Sequence, residues 1–174
     1  MVGPKVSQSV NWNVRIAMRF LAAIFGLALI GSAFGQAAEP SIVISAPPKQ
    51  VTINSKVTFN VYLEFAEGFH GYQNPPAQEF EIPVVIKVDG KEFKVVKVAY
   101  PAGEDASVGG MTSPTKTYSG RIKIPVTVQM PAKVGAKKMR IVASYQQCDE
   151  TKCFPPSQVF VDVKLNVVKK VSKG

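Results

Sequence analysis

The sequence predicts an all-β chain folded as an immunoglobulin-type β-sandwich of seven to nine short strands. Three observations carry that reading. Apolar residues recur at every second position in several separate runs. Turn residues stand between those runs. No stretch after the first 40 residues shows the 3.6-residue apolar repeat of a helix. Period two means that successive side chains point to opposite faces, so each run is a strand with one buried side. The 174 residues are 46% hydrophobic, enough for a real core, and the 13 glycines and 13 prolines suit a turn-rich β protein.

Taken in order, the strands begin with Ile42–Ala46. The next is clearer, with Val57, Phe59, Val61, Leu63 and Phe65 alternating with Thr58, Asn60, Tyr62 and Glu64. Val84–Val88 and Phe93–Tyr100 follow, and Asp89-Gly90 between them reads as a hairpin turn. Ile122, Ile124, Val126 and Val128 form another run. Pro125 inside it lacks a ladder donor, which predicts an edge or bulged strand. Met139–Tyr145 and Val159–Val167 complete the set. Pro47-Pro48, Asn54-Ser55 and Pro131–Gly135 mark further turns. No internal repeat and no second domain stand out.

The amino terminus reads as an export signal. Phe20–Phe34 is a 15-residue uncharged run behind Arg15 and Arg19, with small residues following at Ala33, Gly35, Ala37 and Ala38. A spanning helix needs about 20 apolar residues, so an uncleaved anchor is the lesser reading. The expected division is a signal over residues 1–37 and a β-sandwich over residues 38–174, with a mature start near Gln36 or Ala38. Met18 would itself open a compact signal, MRFLAAIFGLALIG, and such a start leaves residues 1–17 untranslated. Export admits disulfides in the destination compartment.

The chemistry concentrates in Tyr145–Pro156, YQQCDETKCFPP. It holds the chain's two cysteines, Cys148 and Cys153, with four residues between them. Thiols this close can pair across a short loop if their Cβ atoms approach to roughly 4 Å. Closing so small a ring stabilises the fold by only about 2 kcal/mol, against about 4.7 for a 100-residue loop. The pair is therefore a weak staple but a well-placed two-electron switch. Asp149 and Glu150 raise a neighbouring thiol's pKa, whereas Lys152 lowers that of Cys153, which makes Cys153 the readier thiolate. Phe154 offers an apolar contact for a docking partner, and Pro155-Pro156 stiffens the exit.

Two stretches do not follow the strand pattern. Gly68–Glu79 carries the chain's one histidine, His70, with Phe69 and Tyr72. His70 lies far from the cysteines in sequence and is read as structural. Ala102–Lys116 is a 15-residue polar loop with a Gly-Gly pair and Met111, a length that points to a lid over the thiols.

Other classes fit less well. The formal charge of +9 could suggest nucleic acid, but the lysines (Lys87, Lys91, Lys94, Lys97, Lys123, Lys164) are spread along alternating strands and read as solvated faces. Two cysteines and one histidine are too few soft ligands for a metal site. A cysteine–histidine protease is set aside because the second cysteine would quench the nucleophile. Nothing in these motifs calls for a cofactor.

With these residues in view, the region of about 40–168 resembles the amino-terminal domain of the thiol:disulfide interchange reductase DsbD. The matching stretches are GFHGYQNPP, VAYP, TYSGRIKIPVTV and, most specific, ASYQQCDETKCFPP. The resemblance implies an immunoglobulin-like periplasmic domain. Its disulfide pair takes electrons from a thioredoxin-like domain fed by a membrane electron transporter and passes them to oxidised exported proteins, including those of cytochrome c maturation. By the same match Cys153 is the partner-facing cysteine, Cys148 the resolving one, and Ala102–Lys116 a cap, with Tyr145, Lys152, Phe154 and Pro155 supporting the site. The family's best-known member carries acidic residues and a shielding aromatic in its cap; here Glu104, Asp105 and Met111 stand at different spacing. The full-length reductase adds a transmembrane segment and a thioredoxin domain, so the expectation here is a module meeting its donor in trans. The competing expectation is a non-redox binding or chaperone-like sandwich whose disulfide only pins a loop.

Overall fold

The computed structural model describes residues 38–170. The expected export signal over residues 1–37 lies outside them. Twelve strands make up the described chain: β1 (Ser41–Ile44), β2 (Gln50–Thr52), β3 (Lys56–Glu64), β4 (His70–Tyr72), β5 (Val85–Asp89), β6 (Lys94–Val98), β7 (Glu104–Ala106), β8 (Thr115–Ser119), β9 (Arg121–Gln129), β10 (Gly135–Tyr145), β11 (Gln147–Cys148) and β12 (Ser157–Val168). Eight of them have four residues or more, which agrees with the seven to nine strands expected. The other four are only two or three residues long.

Three four-stranded sheets result, in the orders β1-β3-β9-β6, β2-β12-β10-β5 and β11-β4-β8-β7. The first two form the sandwich. Their inward residues make one core: Phe59, Val61 and Leu63 of β3 and Ile124, Val126 and Val128 of β9 meet Met139, Ile141 and Ala143 of β10 and Val163, Leu165 and Val167 of β12. These are the residues the alternation picks out. Each large side chain so buried contributes about 1.5–3 kcal/mol. The cysteines lie outside this cluster.

The third sheet grows from one end of the first. After β3, Phe65 donates its N–H to the carbonyl of Gly120, the residue joining β8 to β9. β4 and β8 therefore continue beyond the sandwich as an extra layer. Both stretches that broke the alternation contribute to it, β4 from Gly68–Glu79 and β7 from Ala102–Lys116. Three residues are too short a run for a periodic signal, and Gly71 interrupts β4. That glycine has a packing reason: a Cβ there would lie 2.5 Å from Cζ of Phe65.

Two turn and strand expectations are corrected. Asp89-Gly90 does not close a hairpin, because β5 pairs with β10 while β6 pairs with β9. The chain crosses from one sheet to the other there, with Gly90 at φ +141°. β9 is not an edge strand but lies between β3 and β6. Pro125 is tolerated because the β6 ladder ends at Val98, and Ala99 donates to the Pro125 carbonyl at 2.9 Å. The irregularity sits in the partner instead, between Val95 and Lys97 of β6. That bulge and the flanking lysines blunt the edge on which Val95 and Val96 are exposed.

A core of this extent does not depend on a six-residue covalent ring. A Cys148→Ala/Cys153→Ala double variant should still unfold cooperatively in denaturant, with stability lower by no more than about 2–3 kcal/mol. A double variant without a cooperative transition would make the bridge a structural requirement.

Candidate functional site

Cys148 and Cys153 are joined by a disulfide, with Cα atoms 4.0 Å apart. Cys148 ends β11, and Cys153 faces it across an isolated antiparallel bridge. The loop between them is self-contained. Asp149 N–H donates to the Lys152 carbonyl at 2.9 Å, and Phe154 N–H to the Gln147 carbonyl at 2.8 Å. The Asp149 carboxylate accepts from Thr151 N–H, Thr151 Oγ1 and Lys152 N–H. Those hydrogen bonds, chiefly the two from Thr151, hold its pKa below the ordinary aspartate value. Its charge is thus engaged by the loop's own donors.

The two sulfur-bearing residues differ in exposure. Cys148 is 1% exposed, packed with Tyr72 and Val108, whereas Cys153 is exposed. The cause is the register of the third sheet. Cys148 pairs with His70 of β4, and Tyr72, two residues on, lies on the same face and covers it. The Tyr72 hydroxyl reaches Cys153 Sγ at 3.4 Å. Burial, with a smaller push from the Glu81 charge, raises the Tyr72 pKa, so the phenol keeps its proton at neutral pH.

The segment after β7 lies against the disulfide loop. Gly109 N–H donates to the Asp149 carbonyl at 2.8 Å, and Gly110 N–H to the Glu150 carbonyl at 2.9 Å. Val108 is fully buried, and Ala106 and Met111 pack on the same small cluster. The glycine pair is required by closeness as well as conformation. Gly109 and Gly110 have φ of +66° and +76°, and a Cβ on Gly109 would stand 2.8 Å from Cys153 Sγ. Of the expected cap residues, Met111 lies beside this cluster. Glu104 shares a face with Thr117, Tyr72 and Cys148 through the ladder. Asp105 alternates to the opposite face and pairs with Lys116 Nζ at 2.9 Å in an exposed ion pair.

The other expected residues divide in the same way. The Phe154 ring stacks near Phe69 at 5.9 Å, and Lys152 Nζ lies 5.1 Å from the Phe154 centroid. Phe69 packs on the sandwich core, Phe154 is half-buried, and Lys152 and Pro155 are exposed. Tyr145 is not at the sulfurs. It points into the sandwich core, edge-on to Phe65 at 6.2 Å. Its support is indirect, through Phe65, which packs on Gly71 beneath β4.

Tyr72 and Thr117 carry much of this geometry, and residue spacing did not assign them to it, whereas Val108 and Gly109 fall within the expected lid Ala102–Lys116. Tyr72 is 81 positions from Cys153. The available signal was the Gly-Gly pair in a long loop, a mark of close backbone approach.

A family model described as thiol:disulfide interchange protein DsbD, N-terminal, matches residues 43–165. Solved structures are similar too. The DsbD N-terminal domain of Neisseria meningitidis in the reduced form is 20% identical, covering 66% of this chain and 82% of that one, with a TM-score of 0.46. The N-terminal periplasmic domain of ScsB from Proteus mirabilis is 16% identical, covering 72% of this chain and 43% of that one, with a TM-score of 0.46. A complex of the DsbD and PilB N-terminal domains of Neisseria meningitidis gives 20% identity, 60% and 73% coverage and a TM-score of 0.39. No curated protein sequence matches the chain.

A Gly109→Ala variant tests whether the cap governs access to Cys153. Its methyl meets Sγ and its backbone is strained, so the cap should lift. Reduction of the disulfide by dithiothreitol should become several-fold faster, while global stability falls by only about 1–2 kcal/mol. An unchanged reduction rate would show that the cap does not control the sulfur.

Proposed function

The chain belongs to the family of DsbD amino-terminal domains, and from that membership we propose that Cys148–Cys153 is a redox pair exchanging electrons with thioredoxin-like partners. The observation that carries the proposal is the unequal exposure of the two cysteines. Exchange requires a thiolate to approach a disulfide sulfur in line with the bond that breaks. Solvent reaches Cys153, while Cys148 lies behind Tyr72 and Val108. A partner thiolate therefore attacks Cys153 Sγ. A mixed disulfide forms, the Cys148–Cys153 bond breaks, and its electron pair leaves on Cys148. A second partner thiolate then attacks the partner sulfur of that mixed disulfide and releases Cys153 as thiolate. The module is now reduced and the partner oxidised.

The surroundings suit both ends of the cycle. The Tyr72 hydroxyl, 3.4 Å from Cys153 Sγ, can donate to the thiolate that forms there. Phe154, the residue after Cys153, is half-buried and offers a docking partner an apolar contact. In the reverse half-cycle Cys153 attacks an oxidised protein, and Cys148 resolves the mixed disulfide. In this reading the electron source is a thioredoxin-like domain fed by a membrane transporter, and the acceptors are oxidised exported proteins. The setting is the periplasm, reached through an export signal over residues 1–37 whose cleavage leaves a start near Gln36 or Ala38. The uncharged run Phe20–Phe34 supports this, as does a compartment where disulfides persist.

Covalent trapping tests the roles. A thioredoxin-like domain lacking its resolving cysteine, activated as a mixed disulfide, is incubated with each reduced single-cysteine variant. Non-reducing gels should show a strong adduct with Cys148→Ser and little with Cys153→Ser. Equal trapping by both would refute the division of roles. No trapping by either folded variant would count against redox exchange itself.

A further inference from the structure

The exchange reading leaves one proton unassigned. Cys148 departs as a thiolate at a position 1% exposed to solvent, and on the return step it must lose its proton there before it can attack. Burial disfavours the charged thiolate. Water has little access, and the neighbours of Cys148 in its cluster are Tyr72, Val108, Ala106 and Met111. Tyr72 holds its own proton at neutral pH.

The strand beside Cys148 carries a different group. His70 is its direct partner in the β11–β4 ladder. Directly opposite residues of an antiparallel pair share a face, with Cβ atoms about 4.5–5.5 Å apart. On its other flank His70 Nδ1 lies 3.4 Å from Thr117 Oγ1. That hydroxyl has one proton, and it donates it to the Glu104 carbonyl at 3.5 Å. With Nδ1 turned to Thr117, Nε2 is the ring nitrogen left for Cys148.

The geometry points to His70 as the acid–base group that serves Cys148, an inference that rests on the exchange reading above. When a partner thiolate attacks Cys153, the electron pair of the broken bond goes to Cys148 Sγ, and imidazolium Nε2–H supplies the proton. On the return step neutral Nε2 takes the proton from Cys148 Sγ–H. The thiolate attacks Cys153 Sγ, and the partner leaves as thiolate. The proton passes from His70 to solvent, which its half-buried ring still meets. Other titratable groups on this face are Tyr72 on β4 and Glu104 on β7; the β8 neighbours Thr117 and Ser119 are hydroxyls. Asp149, in the disulfide loop, is engaged by Thr151 and Lys152.

The test follows the two thiols separately. The reduced protein is mixed with 5,5′-dithiobis(2-nitrobenzoate), and release of thionitrobenzoate is followed against pH. The first equivalent reports Cys153, and the second, independent of reagent concentration, reports attack by Cys148 on the Cys153 adduct. His70→Phe should slow the second phase by about tenfold or more at neutral pH and leave the first phase unchanged. His70→Gln, which keeps a donor for Thr117 but cannot take up the proton, should behave like His70→Phe. Added imidazole should restore part of the rate in His70→Ala. A second-phase profile identical in the unaltered protein and a folded His70→Gln would overturn the assignment while leaving exchange intact. Release of only one equivalent by the unaltered protein would overturn both.

Discussion

The site depends on the register of a two-residue strand. β11 is only Gln147 and Cys148, yet its pairing with β4 decides which way Cys148 faces. A slip of one residue would move every side chain to the other face. Cys148 would then turn away from Tyr72 and Val108, and the difference in burial between the two sulfurs would go with it. Both cysteines would be open to solvent, and no geometric reason would remain for one to meet partners and the other to resolve.

That register is held from below. β10 leads into β11 from the sandwich, anchored by eleven paired positions with β12. Tyr145, at the end of β10, packs on Phe65, and Phe65 fills the space that Gly71 leaves under β4. The main core therefore reaches the redox layer through two aromatic rings and one missing side chain. From above, the backbone of Gly109 and Gly110 hydrogen-bonds to the loop between the cysteines. The disulfide lies between that floor and a cover held by two amide hydrogen bonds and by the buried Val108.

Much of this was legible in the chain. The long strands were visible because each buries one face against the opposite sheet, and period two follows from that. The cysteine loop was visible because its chemistry is local. The third sheet was not. Its strands are short, β4 contains a glycine placed for Phe65 rather than for alternation, and β7 begins with two exposed acids. Asp89-Gly90 read as a hairpin because turn chemistry is local, whereas the choice of partner strand is not. Pro125 read as an edge marker, although a central strand accommodates it where its neighbour's ladder stops. Tyr72 and Thr117 reach the site through pairing across three strands, which no spacing rule encodes. The resemblance pointed to the cap, but the alternation of β7 separates Glu104 from Asp105.

The central claim is that this disulfide cycles rather than stays closed. The reduction potential measures that directly, by equilibrating the folded protein with graded dithiothreitol and quantifying the thiols by alkylation. A carrier must sit within reach of its donors and acceptors, so the account predicts a potential above about −300 mV. A value well below about −300 mV, the range of structural disulfides, would contradict it.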